Sequence, residues 1–189
     1  MNRLLSFSLV LAFVLTAQAQ NVLFNPQTII VNPKPSFEVE VFVDKDLSGL
    51  HKPKYYIGEN ISIGVRVSEA SYVYLFDVRP NGEIHQILPN HLDIQGKNNY
   101  LFAGETKYFP PKNANYTFMI DGPRGLEKVI AVASKQPLDT RSLARFESGE
   151  FFASSRSDEK NFAQTLSIVV NPLPQNEWVT DTAAFRVRW

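Results

Sequence analysis

The sequence predicts an all-β fold, an antiparallel β-sandwich of Ig-like or small-barrel type, with a short helical insertion near the C-terminal third. Three observations carry this. At least six short apolar, β-branched or aromatic segments follow one another at close spacing, divided by Gly, Pro and Asn turn signals. The dipeptide Asn81-Gly82 lies between two of them, a direct hairpin signal. Residues 138–164, in contrast, hold no period-two run and contain helix-tolerant stretches at 142–147 and 158–164.

In chain order, residues 20–36 are punctuated by Pro26, Pro33 and Pro35, which suits an extended arm or edge strand, because proline cannot donate to a sheet ladder. Residues 37–43 alternate, with Phe37, Val39, Val41 and Val43 on one face and Glu38 and Glu40 on the other, as a half-buried strand does. A polar loop, 44–54, follows. Tyr55-Tyr56-Ile57 is broken by Gly58-Glu59-Asn60, and residues 61–67 then give the cleanest alternation of the chain, apolar at every odd position. Residues 71–78 and 84–88 form the two arms of the Asn-Gly hairpin. Further strands are expected around 99–103, 116–120 and 127–133, the last two joined by Asp121-Gly122-Pro123-Arg124-Gly125. Within 138–164, Ser157 or Asp158 suits the cap of the second helical stretch. Residues 165–170 read as a return to strand, ended by Pro172 and Pro174, and 183–189 as a final strand.

The chain has 189 residues, with 19 Lys+Arg against 19 Asp+Glu, 44% hydrophobic residues and no cysteine. This length and apolar content suit one domain with its own core. Charge balance argues against nucleic-acid binding, which requires a basic surface. Without cysteine there are no disulfides, thiolate metal sites or Cys nucleophiles, so any chemistry falls to His, carboxylate or hydroxyl groups. Arg3, the apolar run 4–15 and Ala17-Gln18-Ala19 make the three parts of a secretory signal, assigned to residues 1–19. Its removal takes away one basic residue and leaves 18 against 19. No later segment has the length and apolarity of a membrane span. An exported, disulfide-free chain of this kind fits a bacterial envelope: periplasm, outer-membrane surface or surface layer.

Between 55 and 137 the chain carries an ordered set of short motifs: Tyr56-Ile57-Gly58-Glu59, Tyr72-Val73-Tyr74-Leu75-Phe76, Asn81-Gly82-Glu83, Ile87-Leu88-Pro89-Asn90, Ala103-Gly104-Glu105, Tyr108-Phe109-Pro110 and Ala131-Val132-Ala133-Ser134. This set resembles the domain-of-unknown-function family DUF4384, as found in exported proteins of Deinococcus-like bacteria. The resemblance implies a compact β-rich domain outside the cytoplasm, among surface-layer and outer-membrane assemblies or beside peptidoglycan-facing modules. It implies no catalytic set. The organisation expected is therefore a signal at 1–19, an arm and first strand at 20–54, a core at 55–137, a helical insertion at 138–164 and C-terminal strands at 165–189.

Few residues offer chemistry. The three histidines, His51, His85 and His91, are the candidate metal ligands, with Asp93 as a possible carboxylate. If they converge they suit copper, and a copper site suits a superoxide dismutase-like activity. Against this, the chain has no His-x-His pair and no disulfide; three separate structural histidines are the plainer reading. No Gly-x-Ser-x-Gly nucleophile elbow or phosphate-binding glycine motif is present. The aromatic residues divide between core and interface. Tyr72 and Tyr74 share a strand face opposite Val73 and Leu75, and with Phe185 and Trp189 of the C-terminal strand they are the candidate interface residues. Together these features point to a non-catalytic accessory subunit that binds envelope proteins through edge strands and aromatic surface, with no resident cofactor. A copper-dependent dismutase-like protein and a binder of glycan or peptidoglycan are the alternatives.

Overall fold

The computed structural model of the chain describes residues 32, 34–92, 98–146, 152–156 and 159–189. The signal segment, nearly all of the arm, Asp93 and the capping residues Ser157 and Asp158 lie outside the described residues. Twelve strands and one helix are described: β1 (Val39–Val43), β2 (Lys54–Tyr56), β3 (Asn60–Ile61), β4 (Ile63–Val67), β5 (Ser71–Val78), β6 (Glu83–Leu88), β7 (Tyr100–Leu101), β8 (Thr106–Phe109), β9 (Phe118–Met119), β10 (Gly125–Ser134), β11 (Ala153–Arg156), α1 (Glu159–Val170) and β12 (Trp178–Arg188).

The alternating segments form strands because their apolar phase has a sheet to face. β1 and β4 pair antiparallel with Val41 opposite Val65, and Phe37, Val39, Val43, Ile63 and Val67 join them in the core. On the outer face Glu40 and Arg66 pair across the two strands. Gly64 is needed there because Phe42 lies directly over it; a Cβ at this position would come within 2.2 Å of the ring. β8 adds to β4 and completes a three-stranded sheet, order β1-β4-β8.

The larger sheet runs β11-β6-β5-β10-β12-β2, with β7 alongside β5. Its pairings are antiparallel except β12 with β2, which is parallel. The hairpin marked by Asn81-Gly82 joins β5 to β6. It closes through Arg79 N–H to Glu83 C=O and Gly82 N–H to Arg79 C=O, with Gly82 at φ +84°. The loop is thus three residues, a turn followed by a left-handed glycine, one longer than the bare dipeptide implies. A bulge opposite Leu75 and Phe76 turns both Ile87 and Leu88 of β6 inward.

One core lies between the two sheets and a second between the large sheet and α1. The second overturns one expectation. Residues 165–170, read as strand, are the C-terminal half of α1. Phe162, Ala163, Leu166 and Val170 fall on one helical face and are buried against Phe76, Ile130, Val132 and Trp178, while Ile168 on the opposite side is left 71% exposed. The β-branched run loses to a helical stripe that begins before it, because packing on the sheet outweighs local propensity. The helix expected over 142–147 is not formed over 142–146. There the chain makes a turn, with Leu143 and Ala144 N–H donating to Thr140 C=O, and then bridges Arg145 to Ser154. β11, at Ala153–Arg156, is also a departure from the helical reading of 138–164. The sheets do not close into a barrel.

Candidate functional site

The candidate histidines occupy three different settings. His51 lies in the β1–β2 loop with its ring exposed; its Nδ1 is 3.2 Å from Asp46 Oδ1 and its N–H donates to Asp46 Oδ2 at 2.7 Å. Hydrogen bonds from Ser48 and His51 hold the Asp46 carboxyl down at about 2. His91 stacks on Phe146, ring centroids 3.8 Å apart and 8° from parallel. His85 is on β6, in register with Asp77 of β5 and Ser154 of β11. Among the described residues no three His, Asp or Glu side chains gather to hold a metal ion, so the trio does not form a described metal site.

The candidate interface residues divide. Trp189 is 77% exposed, with the Arg124 guanidinium 5.9 Å from the centre of its ring system. Tyr72 is half-buried and edge-on to Tyr100 at 5.0 Å. Tyr74 and Phe185 are corrections, since both are core residues. The Tyr74 hydroxyl accepts from Leu138 N–H at 2.6 Å, and the Phe185 ring packs edge-on against Tyr55 at 5.1 Å. The expectation assumed that one face of each strand meets solvent. The large sheet is covered on both faces, so both phases of β5 and β12 are buried there.

Two features that the motifs did not single out have the character of sites. The first is a cleft of about 230 Å³ at one end of the inter-sheet core. The inward phase of β5 runs Val73, Leu75, Asp77, and that of β10 runs Ala133, Ala131, Val129, Glu127. Antiparallel register sets Asp77 opposite Val129, so Asp77 and Glu127 become diagonal neighbours on one face, and their carboxyls hydrogen-bond to each other. β6 sets His85 beside Asp77 and β12 sets Phe185 beside Glu127. The short β3–β9 pair contributes Ile61, Phe118 and Met119 to the opposite wall.

Burial raises both carboxyls well above the ordinary carboxylate range, and for Glu127 the neighbouring Asp77 charge adds to the effect. The pair therefore retains a proton at neutral pH. Asp77 Oδ1 is sealed from solvent and has no hydrogen-bond partner. Arg79, beside the pair, is engaged elsewhere: its guanidinium donates to Asp121 and, at 3.2 Å, to Glu83 Oε2. The sequence signal for this site was an acidic residue in the apolar phase of two strands, at Asp77 and Glu127.

The second feature is the outer edge of β8. Among the described residues no strand pairs with it. A shallow groove beside it is lined by Tyr100, Phe102, Tyr108 and Pro110, with Phe102 69% and Tyr108 48% exposed. The opposite edge of the same sheet is blocked differently: Asp181 of β12 accepts the β1 N–H of Val41 at 2.9 Å.

The model of the family described as Domain of unknown function (DUF4384) matches residues 54–137. No curated protein and no solved structure gives a significant match. The matched residues run from β2 through β10 and so carry both cleft carboxylates and the β8 edge. Over residues 54–137, somewhat under half of its length, the chain is similar to the DUF4384 family.

Proposed function

We propose that the protein is an exported, non-catalytic accessory subunit of a bacterial envelope assembly, and that it binds a partner protein by accepting a strand on the β8 edge. The observation that carries this reading is that no described strand pairs with the outer edge of β8, beside the exposed rings of Phe102 and Tyr108. An unpaired edge offers main-chain donors and acceptors, and rigid aromatic rings beside it offer contact area at small entropic cost. Export is supported by the tripartite signal pattern at 1–19. The described residues include no helix long and apolar enough to cross a membrane.

The test is purification of the tagged protein from its native envelope in mild detergent, with the intact complex weighed and its metals counted. The expected result is a stoichiometric complex that dissociates in the Phe102→Ser/Tyr108→Ser double variant. A protein recovered only as a monomer defeats the reading. Copper at about one per subunit supports the dismutase-like alternative, and retention on isolated peptidoglycan supports the glycan-binding one.

A further inference from the structure

We propose that the Asp77–Glu127 cleft is a binding site for an alkylammonium group, with the two carboxylates receiving the cationic head and the aromatic walls covering its stem. This inference is independent of the β8 reading, since the cleft and the β8 groove have no lining residue in common.

The head site is defined by acceptors. An ammonium carries three donors and no acceptor, and a pair of ionised carboxylates carries acceptors alone. Asp77 Oδ1 is sealed and unpartnered, and Glu127, only 6% exposed and hydrogen-bonded to Asp77, lines the same cleft. The local charge also favours a cation. Among the described residues Arg79 is the one guanidinium lining the cleft, and it is ion-paired with Asp121 and Glu83. The remaining charge at the head is that of the Asp77–Glu127 pair.

The stem site is defined by the walls. Phe118, Phe152 and Phe185 line the cleft together with Ile61 and Ile87. Aromatic faces are favourable neighbours for an ammonium and its adjoining methylenes. About 230 Å³ is room for a chain of a few carbons and not for a nucleotide or a sugar polymer. The mouth is rimmed by Met119, 59% exposed, and by Asp121, whose side chain is 66% exposed. A hard divalent cation is a poorer fit. It requires six or more oxygen ligands, and no group of three ligating side chains is gathered among the described residues.

Binding has a defined proton balance. In the free protein the carboxyl pair shares one proton; the incoming R–NH3+ takes its place, and that proton is released to solvent. The other titratable groups facing the pair are Arg79 from the end of β5, Glu83 and His85 from β6, and Asp121 from the β9–β10 loop, whereas β3, β9 and β12 present apolar side chains. Affinity accordingly rises with pH until the free amine itself loses its proton near pH 10.

The experiment uses the full chain after signal removal and follows backbone amide shifts by NMR during titration with n-butylammonium, with n-butanol as the neutral control. At pH 8 the expected result is saturable shifts at Ile61, Phe118 and Phe185, at least about tenfold tighter than for n-butanol. Asp77→Asn and Glu127→Gln are each expected to weaken binding about tenfold with unchanged circular dichroism. Should either variant lose its fold, calorimetry of the wild-type protein in two buffers of different ionisation enthalpy reads the released proton directly. Two further arms identify the source of the group. Binding of Nα-acetyl-lysine methylamide assigns it to a partner's lysine side chain, and binding of cadaverine alone assigns it to a free diamine. Equal affinity for n-butanol, no saturable shift at the cleft, or no proton release on binding overturns the proposal.

Discussion

The two faces of the large sheet are built from the same strands, yet they are closed in different ways. On the outer face α1 lays a continuous apolar stripe over Phe76, Ile130, Val132 and Trp178. Among the described residues the one charged side chain buried there, Lys128, is paired with Glu159 at the first turn of that helix. On the inner face the covering sheet is short: β1 and β4 have five residues each and β8 four, against ten in β10 and eleven in β12. At about 3.3 Å per residue the cover spans roughly half the length of the strands beneath it. The uncovered end is roofed only by the two-residue strands β3 and β9, and there Asp77 and Glu127 stand in the apolar phase. Under the cover an inward carboxylate needs a main-chain donor, as Asp181 has in the Val41 N–H; where the cover stops short, a cleft forms that holds a carboxylate pair. The lesson is that the length of the covering layer, as much as the alternation of the covered one, decides where polar groups enter a core.

The sharpest way to break this comparison is to open the sealed face. Leu166→Ala removes a fully buried side chain between α1 and the sheet and is expected to cost about 2–5 kcal/mol in urea unfolding. The cleft should keep its response to pH, because its residues belong to the other core. The next effect is that response itself. Both cleft carboxyls are raised above their unfolded values, so folding favours their protonated forms. Their contribution is fully present below about pH 4 and is lost as pH rises through the folded-state values, so unfolding is expected to become easier from about pH 5 to pH 9. Asp77→Asn should flatten this alkaline decline in thermal unfolding measured from pH 5 to pH 9; a decline as steep as that of the wild type would show that the pair does not hold the proton.

A smaller effect tests the one charge on the sealed side. Glu159→Gln leaves Lys128 buried without its counter-charge and is expected to cost about 1–3 kcal/mol. Adding Lys128→Met should recover most of that loss, since an apolar side chain of similar reach suits the site. Smallest of all, Phe102→Ser and Tyr108→Ser at the β8 groove are expected to change stability by about 0.5 kcal/mol or less. Their consequence is expected in partner capture, which separates a surface kept for binding from one kept for folding.

How much of this was legible follows from how local each feature is. β1, β4, β5, β6, most of β10 and the second half of β12 were visible because their apolar or alternating pattern extends over several residues. β8 and β11 were not identified as strands: each has four residues, too few to establish a period, and β11 is mostly Ser and Arg. Residues 165–170 misled because their β-branched composition was weighed apart from Phe162 and Ala163 just before them. At the site, Asp77 and Glu127 carried a signal, a charge in the buried phase, but their meeting depends on the register of strands 50 positions apart. The histidines show the reverse. Their composition suggested a shared site, and the fold gives them separate neighbours: Asp46, the cleft, and Phe146.

By itself the sequence determined the strand-rich class, the β5–β6 hairpin and the glycine that shapes its turn, and the extent of the family segment, all features set by contacts within a few residues of one another. The tertiary structure alone decided that both faces of the large sheet are covered, that 165–170 coil into a helix, that Tyr74 and Phe185 are interior, and that β8 lies at the end of its sheet among the described strands. It also supplied what the family segment lacks: β1, α1, β11 and β12 lie outside 54–137, yet they complete both cores. The physical reason is that a periodic pattern specifies which side of an element is buried only if the opposite side meets water, and what meets water is settled by the layers packed against it.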